Sequence, residues 1–258
     1  MVGTAELLRF NRAQGQVISA ASRDLNSVFS ALDLARPELA RDALLEAYPT
    51  IAGQYSDLSS TVAAEWYEDL RRSQVGGEYS ALLAAAPQVE RTERTVRWAA
   101  SGLFSPEPWK AARLLEGSLT RLLGDSARET VSENVRRDPQ AAGWQRNARA
   151  DGCDFCVMLS SRVTERGGVY KKSTANFASH DNCRCTCSPS WDKDAPDMPV
   201  EAYRASESLV SLQNRASNPN LSARDRAKAQ KQLDDHRART RSWIESNRWI
   251  LDDIRASS

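Results

Sequence analysis

No run of about 18 consecutive apolar residues occurs in the chain, the length a helix needs to cross a bilayer. The first twenty residues alternate polar and apolar and lack a signal-peptide core. These two absences exclude a helical membrane span and lead us to expect a soluble, intracellular protein. An excess of either charge is also missing: 35 Lys and Arg face 34 Asp and Glu, a formal charge of +1. That balance excludes a histone-like protein, which coats DNA through a marked basic excess. Histidine occurs only at His180 and His236, too few for a ββα-metal nuclease, which needs further histidines near its site. Neither a GxSxG elbow nor a phosphate-cradling glycine loop is present. What remains is ordinary globular composition, 41% hydrophobic and 27% charged, in 258 residues, enough for one large domain or two modest ones.

The sequence predicts a mainly α protein in three parts: a helical region over 1–142, a small loop-rich module with minor β over 143–192, and a linker with C-terminal helices over 193–258. From Ile18, the positions Ala21, Leu25, Val28, Phe29 and Leu32 recur at steps of three and four, one face of a helix. Pro37 suits the first turn of a second helix, which Pro49 should interrupt. Ser59 and Ser60 are candidate caps for a third, stopping near Gly76 and Gly77. A further helix is expected from about Pro87 to Ala100. The Ser105 to Pro108 stretch should start another that ends at Gly124, with Asp125 capping a last one before Pro139. Near the C-terminus, Ser222 and Asp225 mark the start of a long helix. Trp243, Ile244, Ile250 and Leu251 flank a seven-residue spacing on it that suits an interhelical seam. Its basic N-terminal half reads as a solvated surface.

All five cysteines, Cys153, Cys156, Cys183, Cys185 and Cys187, fall within 35 consecutive positions, with none in the 152 residues before or the 71 after. In a reducing compartment such clustering points to a metal rather than to a disulfide framework. Cys153 and Cys156 form a CxxC pair, and after 23 intervening residues His180 and Cys183 form an HxxC pair. Two short chelating pairs joined by a loop are a common way to build a tetrahedral zinc site. The expected ligands are Cys153, Cys156, His180 and Cys183, with Cys185 as the alternative to Cys183. The thiolates are numerous enough to close the coordination sphere, and no Glu stands at the HxE position that a deaminase requires. We therefore expect a structural zinc, no catalytic residues and no enzymatic activity.

The segment as a whole resembles the zinc-motif region of MuF-like minor head proteins, the capsid morphogenesis proteins of tailed phages infecting actinobacteria. The resemblance rests on Cys153, Phe155 and Cys156; on Leu159, Ser161 and Arg162; on Gly167 and Tyr170; on His180, Asp181, Cys183 and Cys185; and on Pro189 and Trp191. It covers about 40 residues behind a helical region of similar length to the family's. The chain departs from the pattern in the insertion Val163 to Arg166, which leaves the loop geometry open, and in the extra Cys187, which leaves the fourth ligand open. The resemblance implies a minor virion head protein. Such a protein is made in the host cytoplasm, placed inside the procapsid with portal and head proteins, and associated with packaged DNA. Some relatives carry a fused enzyme, and the stretch after Trp191 is too short for one, which leads us to expect a stand-alone structural protein. Broad amphipathic helix faces suit partner helices or a ring of like subunits. The alternative reading is a zinc-containing DNA-binding or nuclease protein whose loop bears Arg146, Arg149, Arg162, Arg166, Lys171, Lys172 and Arg184.

Overall fold

The computed structural model describes residues 2–148, 169–172, 177, 179–195, 212 and 214–246. Helix α1, Thr4–Ser30, buries Phe10, Gln14, Val17, Ile18, Ala21, Leu25 and Phe29. It begins well before Ile18 because Phe10, Gln14 and Val17 continue the same stripe. Helix α2, Pro37–Gln74, runs straight through Pro49, contrary to the expected interruption. Tyr48, Ile51 and Ala52, on both sides of the proline, are buried, and this packing outweighs the roughly 3 kcal/mol that an internal proline costs. Ser59 and Ser60 accordingly lie buried inside the helix and cap nothing. The glycine pair does end it: Gly76 and Gly77 take φ of 81° and 71°, a left-handed conformation that only glycine adopts without strain.

An extended strap then crosses the bundle. Asn134 grips it, donating to the Leu82 carbonyl at 2.8 Å and accepting from the Leu82 N–H at 2.9 Å, and Thr130 Oγ1 accepts from the Ala84 N–H. Helix α3, Val89–Ala99, and a 3₁₀ turn, Ala100–Phe104, lead into α4, Trp109–Arg137. Where the sequence suggested two helices meeting at Gly124 and Asp125, α4 is continuous. Gly124 is not among the residues with positive φ, so it does not cap; it makes room for a neighbour, described below.

After α4 come β1, Gly143–Asn147, β2, Tyr170–Lys171, and β3, Thr186–Ser190, in an antiparallel sheet of order β2-β1-β3. Trp144 faces Tyr170 on one side and Pro189 on the other. A Cβ on Gly143 would collide with the Tyr170 carbonyl, so this close strand approach needs glycine. Helix α5, Ala223–Ser246, starts as the sequence predicts: the Ser222 hydroxyl accepts from the Asp225 N–H at 3.1 Å and donates to the Asp225 carboxylate. Among the described residues, no helix is long and apolar enough to cross a membrane.

Two apolar clusters form the core. One joins α1, the first half of α2, α3, the 3₁₀ turn and the first half of α4. The other joins Phe10, Tyr67, Val131 and Val135 of the helices to Trp144, Tyr170 and Cys187 of the sheet, so helices and strands share apolar packing. A polar contact sits between them in sequence along all three long helices. Gln14 Nε2 donates to the Ser59 carbonyl at 3.0 Å, and the Ser59 hydroxyl has two acceptors for its one proton, Gln14 Oε1 at 2.7 Å and the Leu123 carbonyl at 2.8 Å. Ser59→Ala should destabilise the fold by about 1–3 kcal/mol, because it strips buried acceptors of their donor. Urea unfolding checks this, and an unchanged midpoint would show that the contact contributes nothing.

Candidate metal centre

The site begins on α4. Gly117, Arg121, Gly124, Asp125 and Arg128 recur at helical spacing along one face, and the segment from Ser179 to Cys185 lies on that stripe. Each anchor is specific. Asn182, in the left-handed region at φ 63°, donates its N–H to the Gly117 carbonyl at 3.0 Å. A Cβ on Gly117 would stand 2.9 Å from the Asn182 side-chain nitrogen, so the missing side chain is what admits the turn. Arg121 pairs with Asp181 at 3.1 Å, and the Ser179 hydroxyl donates to Asp125 at 2.7 Å. The deepest anchor is Arg128, 3% exposed, which donates to the Cys185 carbonyl at 2.7 Å and to Asp125 at 2.7 Å. A Cβ at Gly124 would lie 2.8 Å from that guanidinium.

The turn holds His180, Cys183 and Cys185 at the edge of the bundle. Cys183 donates its N–H to the His180 carbonyl at 3.0 Å, closing the HxxC loop. Nδ1 of His180 lies 2.8 Å from the Asp181 carbonyl. A carbonyl only accepts, so this contact has Nδ1 as the donor. Metal-binding imidazoles are commonly oriented in this way. Cys183 and Cys185, 1% and 3% exposed, share a small buried cluster with Ala148 and Phe177. Cys187 lies elsewhere, in the apolar cluster with Trp144 and Tyr170, where burial pushes its thiol up despite the charges of Arg128 and Arg146. It is a free, buried thiol that packs as a small hydrophobe. Cys153 and Cys156 lie outside the described residues, as do Phe155, Leu159, Ser161, Arg162 and Gly167. Among the described residues, no three His, Cys, Asp or Glu side chains converge as a metal-holding group. His180 and one of the two buried thiols are nevertheless donors of the kind that a tetrahedral zinc takes, with the Cys153 and Cys156 pair as the other two.

Two cations flank this cluster. The guanidinium of Arg146 stacks over the Phe177 ring at 3.7 Å and that of Arg128 at 4.8 Å. Arg146 is only 5% exposed and Lys172 donates to the Asp138 carbonyl. Two of the seven basic residues proposed for a DNA-contacting loop are therefore turned inward or engaged. Lys171 and Arg184 are exposed, and Arg149, Arg162 and Arg166 lie outside the described residues.

A second polar centre ties the sheet to the bundle, and sequence reasoning missed it. Asp138, fully buried, accepts from the Trp191 indole at 2.9 Å, from Arg71 at 3.2 Å, from the Tyr67 hydroxyl at 3.2 Å and from the Gln140 N–H at 2.9 Å. Burial alone would raise its carboxyl. The Trp191 and Gln140 bonds, the Arg71 charge and the Tyr67 bond outweigh that and hold it below its ordinary value. Trp191, part of the quoted motif, thus works as a donor to a buried carboxylate.

Neither the curated proteins nor the solved structures contain a match to the chain. Residues 1–207 match a family of viral gene products described as VG15 protein, a span that runs from α1 through β3 and takes in all five cysteines and His180. The chain therefore belongs to the VG15 protein family, a viral gene-product family whose match points to a phage origin.

Proposed function

We propose that this protein is a non-enzymatic minor component of the virion head, incorporated into the procapsid interior beside the portal and associated with packaged DNA. The observation that carries the reading is the seating of the cysteine-rich turn on α4. The turn is pinned at Gly117, Arg121, Asp125 and Arg128, and its thiols are buried. Such an arrangement suits a brace that holds a loop-rich segment against the helices. Cys153, Cys156, His180 and either Cys183 or Cys185 would hold one zinc ion. Such an ion would cross-link the two chelating pairs. Family membership supports the phage setting, and the resemblance of the motif to MuF-like proteins supports the head, the portal and the actinobacterial host. The inward positions of Arg146 and Lys172 favour this reading over a DNA-binding or nuclease loop.

Mass spectrometry of purified procapsids and virions tests the location. The chain should be found in both at low copy number relative to the major capsid protein. Its absence from both would reject the head assignment.

A further inference from the structure

Beyond naming candidate ligands, the geometry points to Arg128 as a positioning residue of the metal site, which sets the conformation of the cysteine turn and compensates the charge of the thiolates. We infer that the bundle prepares half of the site before any ion arrives. This inference rests on the zinc reading above.

Three observations carry it. First, Arg128 is a buried cation on a helix, aimed at the cysteine turn: one arm donates to the carbonyl of Cys185 itself, and the other to Asp125 and the Arg121 carbonyl. A buried cation is costly unless paired, and its one carboxylate, Asp125, is also used by Ser179 and lies 4.0 Å from Arg91. Secondly, the helix is cut away to admit it. Gly124 has no side chain where a Cβ would stand 2.8 to 3.1 Å from the guanidinium atoms, although its φ gives no reason for glycine. Thirdly, the ring on which Arg128 lies, Phe177, is also the apolar neighbour of Cys183 and Cys185. A zinc ion with three thiolates and one imidazole carries one negative charge in excess, and with four thiolates it carries two. A guanidinium bonded to the Cys185 carbonyl fixes the backbone that carries this thiol, and its positive charge on the cysteine turn offsets part of that excess.

The test is zinc affinity of the full chain, measured by competition with a chromophoric chelator, for wild type, Arg128→Met, Arg128→Lys and Gly124→Ala. Arg128→Met should bind zinc about 10–100-fold more weakly. Arg128→Lys should recover part of the loss, because it keeps the charge without the fork. Gly124→Ala should also weaken binding, because it displaces the guanidinium while leaving its charge. Leu44→Ala, in the core cluster of α2, controls for general destabilisation and should leave affinity unchanged. Cobalt(II) substitution gives a second readout: the thiolate charge-transfer band of Arg128→Met should shift relative to wild type. Wild-type zinc binding with an unchanged affinity in Arg128→Met would overturn this inference alone. An equal loss in Leu44→Ala would overturn it too, as a stability effect. A wild-type chain that binds no zinc would overturn the metal reading and this inference with it.

Discussion

Asp138→Ala should destabilise the protein by about 3–5 kcal/mol, the cost of breaking a buried ion pair and leaving its partner uncompensated. Arg71 is 11% exposed, so removal of the carboxylate leaves a largely buried cation, an indole N–H and a Tyr67 hydroxyl without their acceptor. These groups come from α2 and from the end of β3, so the loss falls on the junction of bundle and sheet. The same carboxylate gives a pH signature. Because its folded-state value lies below the ordinary 3.8, its contribution is complete above that value and is lost as pH falls through the depressed one. Wild type should lose stability on that acid limb, and Asp138→Asn should lose correspondingly less. Superimposable pH profiles for the two, or a cost for Asp138→Ala below about 1 kcal/mol, would show that the cluster does not hold the junction.

Cys156→Ser should abolish stoichiometric zinc binding and loosen the cysteine-rich module, while the long helices stay folded. Structural zinc in small peptides has an apparent binding free energy of about 10–16 kcal/mol, so a loop held by such an ion loosens when a ligand is lost. Each of α1, α2 and α4 has its own buried stripe and does not. Proteolysis of the variant should cut first between residues 149 and 191, with the helical signal preserved. The shared cluster of Trp144, Tyr170 and Cys187 with Phe10, Tyr67 and Val131 defines the opposing outcome. If the helical signal melts together with the module, the two are one cooperative unit.

Periodicity made the helices legible, because three-and-four spacing reports directly on a buried face. The turn at Gly76 and Gly77 and the cap at Ser222 were legible for the same local reason. The breaks assigned at Pro49 and at Gly124 were not real, since both judgements weighed a single residue's propensity and could not see the packing on either side of it. Gly124 illustrates the difficulty: read alone, it is a stop signal, whereas its role depends on a guanidinium one turn away and a turn more than fifty residues later. The candidate ligands were visible through their chelate spacing. The groups that seat the cysteine turn and the sheet were not, because Arg128 and Asp138 look like ordinary charges on a helix and at its end. One signal was present in the sequence: Gly117 and Gly124, seven residues apart on an otherwise strong helix former, mark a face against which something packs closely.

The central claim is that this cysteine-rich turn is one half of a structural metal centre built onto α4. Native mass spectrometry of the full chain, purified without added metal under reducing conditions, tests it most directly. The account predicts one zinc per monomer, lost in Cys156→Ser. A fully folded wild-type chain that carries no metal and keeps its five cysteines as free thiols would contradict it.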